Sequence, residues 1–120
     1  ELAEEEFREA EKLNSTEPMI HNNLGLIYMR KGDLEKAEEE FAKEIAFYPG
    51  YDNAYFNWGL VYYQLGEKEK AAEMWLKTVN INPDHTGALN NLMYYYSDEE
   101  KDQVKANYYY QEALKRGVKY

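Results

Sequence analysis

The chain has 120 residues, enough for one compact domain or a short repeat array and too few for two ordinary domains. Fourteen Lys and Arg oppose 23 Asp and Glu, a formal charge of −9, so phosphate backbones and anionic membrane surfaces are repelled and nucleic acid is not expected as a partner. A 44% share of hydrophobic residues argues against global disorder, and the absence of cysteine excludes a disulfide framework, a thiolate zinc site and a Cys nucleophile.

Along the chain, apolar residues recur at helical spacing and predict helices near residues 1–14, 17–31, 34–47, 52–65, 68–81, 85–97 and 101–116. Leu24, Ile27 and Tyr28 mark one face of the second of these, and Leu34, Ala37, Phe41 and Ile45 one face of the third. Gly32-Asp33 and Gly66-Glu67 are the breaks between paired helices. Asp33 and Asp52 stand where N-caps belong, and Pro49 and Pro83 fall just past helix ends. Asn14-Ser15-Thr16 is a formal glycosylation sequon that also reads as a helix-capping turn.

The same pattern returns at an offset of 34 residues. Asn23 aligns with Asn57 and Asn91, Gly25 with Gly59, Tyr28 with Tyr62 and Tyr96, Glu35-Lys36-Ala37 with Glu69-Lys70-Ala71, and Pro49 with Pro83. One period therefore holds a helix, a tight turn and a second helix. His21, Leu24, Gly25, Tyr28, Gly32, Ala37, Phe41, Glu44 and Pro49 in the first full period, and Tyr55, Trp58, Gly59, Tyr62, Gly66, Ala71, Trp75, Thr78 and Pro83 in the second, resemble the tetratricopeptide repeat. His21, Glu44 and Thr78 depart from that pattern. In the third period Leu89, Leu92 and Tyr96 fit, Met93 replaces the small residue, and Gly117-Val118 stands where proline closes a repeat. Ala106, Tyr110 and Ala113 fit only if one residue is inserted between Ser97 and Lys101.

The resemblance implies an all-α fold, a right-handed α-solenoid of stacked antiparallel helix hairpins. It divides a single domain into a truncated repeat's second helix at 1–17, carrying Ala3, Phe7 and Ala10, then repeats at 18–51, 52–85 and 86–120, the last with the insertion. Glu1 rather than Met opens the chain, so an upstream segment is expected. No apolar run approaches the roughly 20 residues of a spanning helix, so direct membrane insertion is not expected. The reading is of a soluble fragment, with the cytoplasm favoured and the compartment left open.

No catalytic constellation, phosphate loop, metal motif or cofactor signature is present, so neither an enzyme nor a metal or cofactor is expected. His21 and His85 lie in different layers and read as packing or surface residues. The runs Glu4-Glu5-Glu6, Glu38-Glu39-Glu40 and Asp98-Glu99-Glu100 read as solvated faces interspersed with Lys.

In the resembling family the first helix of each repeat lines a concave groove. Carried over by position, that groove comprises Met19, Asn22, Asn23, Leu26, Met29 and Arg30, then Asn53, Phe56, Asn57, Leu60, Tyr63 and Gln64, then Gly87, Asn90, Asn91, Tyr94, Ser97 and Asp98. Arg30 and Asp98 are its only charges, which favours a largely uncharged protein or peptide partner. Asn23, Asn57 and Asn91 would form a ladder, each offering a donor and an acceptor to a peptide backbone. The ladder looks like that of family members that hold extended chains, among them the enzyme that attaches N-acetylglucosamine to Ser and Thr. The peptide-binding set expected is Asn22, Asn23, Leu26, Arg30, Asn53, Phe56, Asn57, Leu60, Tyr63, Asn90, Asn91 and Tyr94. A receptor for chaperone tails is not expected, since Asn22, Leu26 and Gly87 lack the basic groups of a carboxylate clamp.

Six of 13 Tyr fall in Tyr94-Tyr95-Tyr96 and Tyr108-Tyr109-Tyr110. Three consecutive residues cannot all face inward on a helix, so Tyr95, Tyr108 or Tyr109 is expected to be partly exposed. That aromatic end and Leu2, Phe7 and Leu13 at the other offer a route to a homo-oligomer through the terminal helices. An accessory role within a larger enzyme or secretion protein is a further expectation.

Overall fold

The structure, a computed structural model, describes residues 19–120. The expected helix at 1–14, the turn at 14–16 and the half-repeat residues Leu2, Ala3, Phe7, Ala10 and Leu13 lie outside the described residues. Six α-helices follow one another with no strand among the described residues: α1 Ile20–Lys31, α2 Leu34–Phe47, α3 Asp52–Gln64, α4 Lys68–Ile81, α5 Thr86–Tyr94 and α6 Gln103–Lys115. A five-residue π turn, Tyr95–Glu99, continues α5. Pairs α1/α2, α3/α4 and α5/α6 form hairpins, and α2 against α3 and α4 against α5 stack the hairpins into a solenoid.

Small residues set the spacing inside the first two hairpins. A Cβ on Gly25 would come within 2.5 Å of Phe41, and one on Gly59 within 2.5 Å of Trp75. Phe41 and Ala37 are fully buried in a core shared with Ile20, Leu24, Tyr28 and Val61, so the first core already spans two hairpins. Burying a side chain such as Phe41 contributes about 1.5–3 kcal/mol, and without the neighbouring hairpin part of that cover is missing. A second core joins Ala71, Ala72 and Trp75 to Ala88, Leu92 and Tyr95. At the turns a lysine ammonium sits over a tyrosine ring at one equivalent place in every hairpin: Lys36 over Tyr28 at 5.6 Å, Lys70 over Tyr62 at 5.7 Å and Lys105 over Tyr96 at 5.1 Å.

The third hairpin departs from the other two by one residue, and hydrogen bonds locate the change. Asp33 N–H donates to Tyr28 O and Glu67 N–H to Tyr62 O, each spanning five residues, whereas Asp102 N–H donates to Tyr96 O across six. The extra residue is absorbed by the π turn, where Glu100 N–H reaches Tyr95 O. Lys101 adopts φ 54°, taking the left-handed place held by Gly32 and Gly66 at φ 83°. Tyr95 takes the place of the buried Ile27 and Val61 in the first two repeats and lies in the core beside Leu92 and Trp75, so of the three tyrosines offered for partial exposure it is not the exposed one. Tyr108 is 57% exposed, while Tyr109 is half-buried and stacks on Tyr96 with centroids 5.7 Å apart.

The three residues that break the pattern in the first two repeats are all buried and bonded. His21 Nδ1 lies 2.8 Å from Glu40 Oε1, and its ring stacks on Phe47. Glu44 accepts from Met19 N–H and Asn22 N–H, both at 3.0 Å, so a carboxylate from α2 caps the start of α1. Thr78 Oγ1 donates to Met74 O within α4. Asp33 caps α2 through Lys36 N–H as expected. Asp52, by contrast, is the first residue of α3 behind Tyr51, and its carboxylate accepts from Asn82 Nδ2 at 2.9 Å.

Candidate functional site

Helices α1, α3 and α5 carry the expected groove residues, and the structure gathers only some of them. Leu60 and Tyr63 from α3 and Asn91 and Tyr94 from α5 line a single pocket of about 300 Å3. Trp75 from α4 and Tyr95, Asp98 and Glu99 from the π turn complete it. Tyr63 and Tyr94 are about half exposed, at 50% and 49%, so their rings are available to a ligand. Burial and a hydrogen bond to Glu100 Oε1 at 2.6 Å push the Tyr95 phenol far above its ordinary range, which keeps it neutral.

The remaining expected residues lie elsewhere. Asn57 is buried, and its Nδ2 donates to Oδ1 of the buried Asn22 at 3.0 Å, tying α3 to α1. One N–H of this buried middle ladder residue is therefore used inside the protein. Asn23, Leu26 and Asn90 are half-buried, with Leu26 packed on the first core, and Arg30 is exposed near the end of α1. Asn53 accepts from His85, and Phe56 packs against the same imidazole at 4.7 Å.

Ala88 N–H donates to His85 Nδ1, making that nitrogen an acceptor. The proton consequently resides on Nε2, which donates to Asn53 Oδ1 at 2.8 Å. His85 is thus both the N-cap of α5 and a strut to α3, a role more specific than the packing or surface part expected for it.

Trp75, Tyr95 and Glu99 were not among the expected site residues. Trp75 reads in the sequence as a packing aromatic, and it does pack, with Nε1 donating to Phe56 O, yet its ring also faces the pocket beside Tyr63. Glu99 reaches the site because the inserted residue alters the helical phase beyond Tyr95, whereas Tyr95 holds the place of the buried Ile27 and Val61 in the first two repeats. The available signal was the insertion itself, which had been placed between Ser97 and Lys101.

The tetratricopeptide repeat profile matches residues 18–51 and 52–85, more than half the chain. The chain belongs to the tetratricopeptide repeat family. As a tetratricopeptide repeat chain it carries the helix-hairpin scaffold of a protein-interaction module. A crystal structure of MamA is similar at 26% identity and a TM-score of 0.84, over 94% of this chain and 66% of that one. A second MamA structure is also 26% identical, with a TM-score of 0.80, over 94% and 61%. PilF of Pseudomonas aeruginosa, at 24% identity and a TM-score of 0.90 over 99% and 54%, shares the fold. This tetratricopeptide chain spans less than two thirds of the length of each of these solved chains. Curated proteins provide no significant match. Among the described residues no helix is long and apolar enough to cross a membrane.

Proposed function

We propose that this tetratricopeptide domain is a non-catalytic scaffold that holds an extended, largely uncharged peptide segment along the inner face of α1, α3 and α5. The observation that carries the reading is the pocket between α3 and α5, where Leu60, Tyr63, Asn91 and Tyr94 converge from successive repeats, with Asp98 and Glu99 at its charged edge. Asn23 and Asn91 are the ladder positions that bond the peptide backbone, and Asn57 braces the groove from beneath through Asn22. Leu26, Phe56 and Leu60 contribute apolar contact.

A peptide array probed with the wild-type chain and with an Asn23→Ala/Asn91→Ala variant tests this reading. A backbone hydrogen bond of about 0.5–1.5 kcal/mol makes each substitution weaken binding roughly two- to tenfold. Equal retention by both proteins overturns the ladder, and an array that retains neither overturns the groove.

A second reading rests on the carboxyl end, where Tyr108 is exposed and Tyr120, 53% exposed, packs at a tilt against Tyr110 with centroids 5.1 Å apart. That aromatic surface suits contact with a second copy or with further parts of a larger enzyme or assembly protein. A solution mass that rises with concentration, and is restored to the monomer value by Tyr108→Ser, supports self-association; a constant mass removes it.

A further inference from the structure

The pocket between the second and third hairpins combines aromatic faces with carboxylates. Tyr63, Trp75, Tyr94 and Tyr95 contribute rings, and Asp98 and Glu99 contribute charge. An aromatic face is the negative part of the ring's quadrupole, so both features favour a cation and disfavour an anion. The chain already places a cation beside this pocket: Lys68 Nζ lies 5.5 Å from the Tyr63 ring centroid and donates to Glu99 Oε1 at 2.8 Å.

That internal pair neutralises Glu99, whereas no ion pair among the described residues takes up the exposed Asp98. The adjoining surface adds Glu67, Glu69, Glu73 and Glu100 against Lys68 and Lys70, so the local field stays negative. A volume of about 300 Å3 lies at the small end for ligand sites and suits one side chain rather than a folded ligand. Among cationic side chains, arginine has the planar guanidinium that stacks on rings and reaches a carboxylate with a two-pronged fork.

We propose that this pocket seats one arginine side chain of the partner segment, its guanidinium stacked against Tyr94 and hydrogen-bonded to Asp98. The inference rests on the groove reading and deepens it: a segment otherwise uncharged is held in register by a single cationic anchor. Recognition of the backbone tolerates many sequences, and the anchor supplies the selectivity that the Asn positions lack.

The test uses the full chain and a small probe, N-acetyl-arginine methylamide, followed by NMR at the Trp75 indole N–H and the Asn91 side-chain amide. Saturable shifts at both groups are expected, with the Trp58 indole unmoved. The citrulline analogue, equal in shape and uncharged, is expected to bind at least about tenfold more weakly. Asp98→Asn, a change at an exposed position, is expected to weaken the arginine probe by a similar factor, and added salt weakens it further. Equal binding of citrulline, an unaltered Asp98→Asn titration, or a lysine analogue binding as well as arginine each overturns the assignment. Array peptides that bind the groove yet tolerate arginine-to-citrulline exchange refute the anchor while the groove reading stands. A silent array with a titrating arginine probe does the reverse.

Discussion

The side-chain amide of Asn57 donates to the side-chain oxygen of Asn22 across 3.0 Å, and both residues are buried between the inner helices of successive hairpins. The rest of the contact between the first two hairpins is mainly apolar and tolerant of small rotations, with one further bond at its edge from Trp58 Nε1 to Glu38 Oε2. A directional bond inside that contact fixes the angle of α3 on α1 and hence the curvature of the inner face.

Asn57→Ala strands the Asn22 carbonyl oxygen in a buried place and is expected to destabilise the fold by about 1–3 kcal/mol. Removing both partners together, as Asn22→Leu/Asn57→Leu, leaves no polar group unsatisfied and is expected to cost less than the two single changes combined. Urea denaturation of the wild type, Asn22→Leu, Asn57→Leu and the double variant checks this, and strict additivity refutes a coupled pair.

Glu44 caps the start of α1 from a position distant in sequence. Met19 stands at the start of α1 with φ 76° and no capping side chain of its own, and Glu44 accepts from both Met19 N–H and Asn22 N–H. Glu44→Ala is expected to lower stability by about 1–3 kcal/mol, with Glu44→Gln between it and wild type because one acceptor oxygen remains. Hydrogen exchange is expected to accelerate first at the amino end of α1. Unchanged protection there removes the capping role.

Much of this architecture was legible in the sequence because each repeat obeys local rules. The 34-residue offset, the Gly25 and Gly59 approaches and the turn at Gly32 all depend on residues near one another in the chain, and the helix bounds of α2 and α4 match the expected spans. The site was less legible because its chemistry depends on phase and on partners far apart in sequence. Asn57 looked like a groove residue by position, and only its pairing with Asn22, 35 residues away, shows where its donor is used. Of Tyr95, Tyr108 and Tyr109, at least one of which is expected from the sequence to be partly exposed, Tyr108 is the exposed one, and Tyr95 follows Leu92 by three residues on the same buried face.

Burial pushes the phenol of Tyr95 up, aided by its bond to Glu100, and burial likewise raises Tyr109, where neighbouring Tyr96 and Tyr108 add to the effect. An unfolded tyrosine ionises near pH 10. The folded state therefore keeps protons that the unfolded state releases, so this stabilisation is complete below about pH 10 and is lost as pH rises above it. An alkaline titration is expected to show a class of tyrosinate absorbance that appears only on unfolding. Tyr95→Phe is expected to flatten the fall of stability with pH in that range, and an unchanged slope refutes the assignment to Tyr95.

His85 couples the start of α5 to α3 by accepting from Ala88 N–H through Nδ1 and donating to Asn53 Oδ1 through Nε2. His85→Ala removes both bonds and the contact with Phe56, and loss of the cap alone costs about 0.5–2 kcal/mol. His85→Asn restores a capping oxygen but is too short to keep the same strut, so it is expected to recover helix stability without recovering the link to Asn53. If the link positions the groove, the Asn91 side-chain amide shifts in NMR spectra of both variants while the loss in denaturation midpoint is confined largely to His85→Ala. Should His85→Asn restore the Asn91 signal together with stability, His85 acts as a helix cap alone, and the orientation of α5 against α3 is set by the apolar packing of Phe56, Leu60 and Leu92.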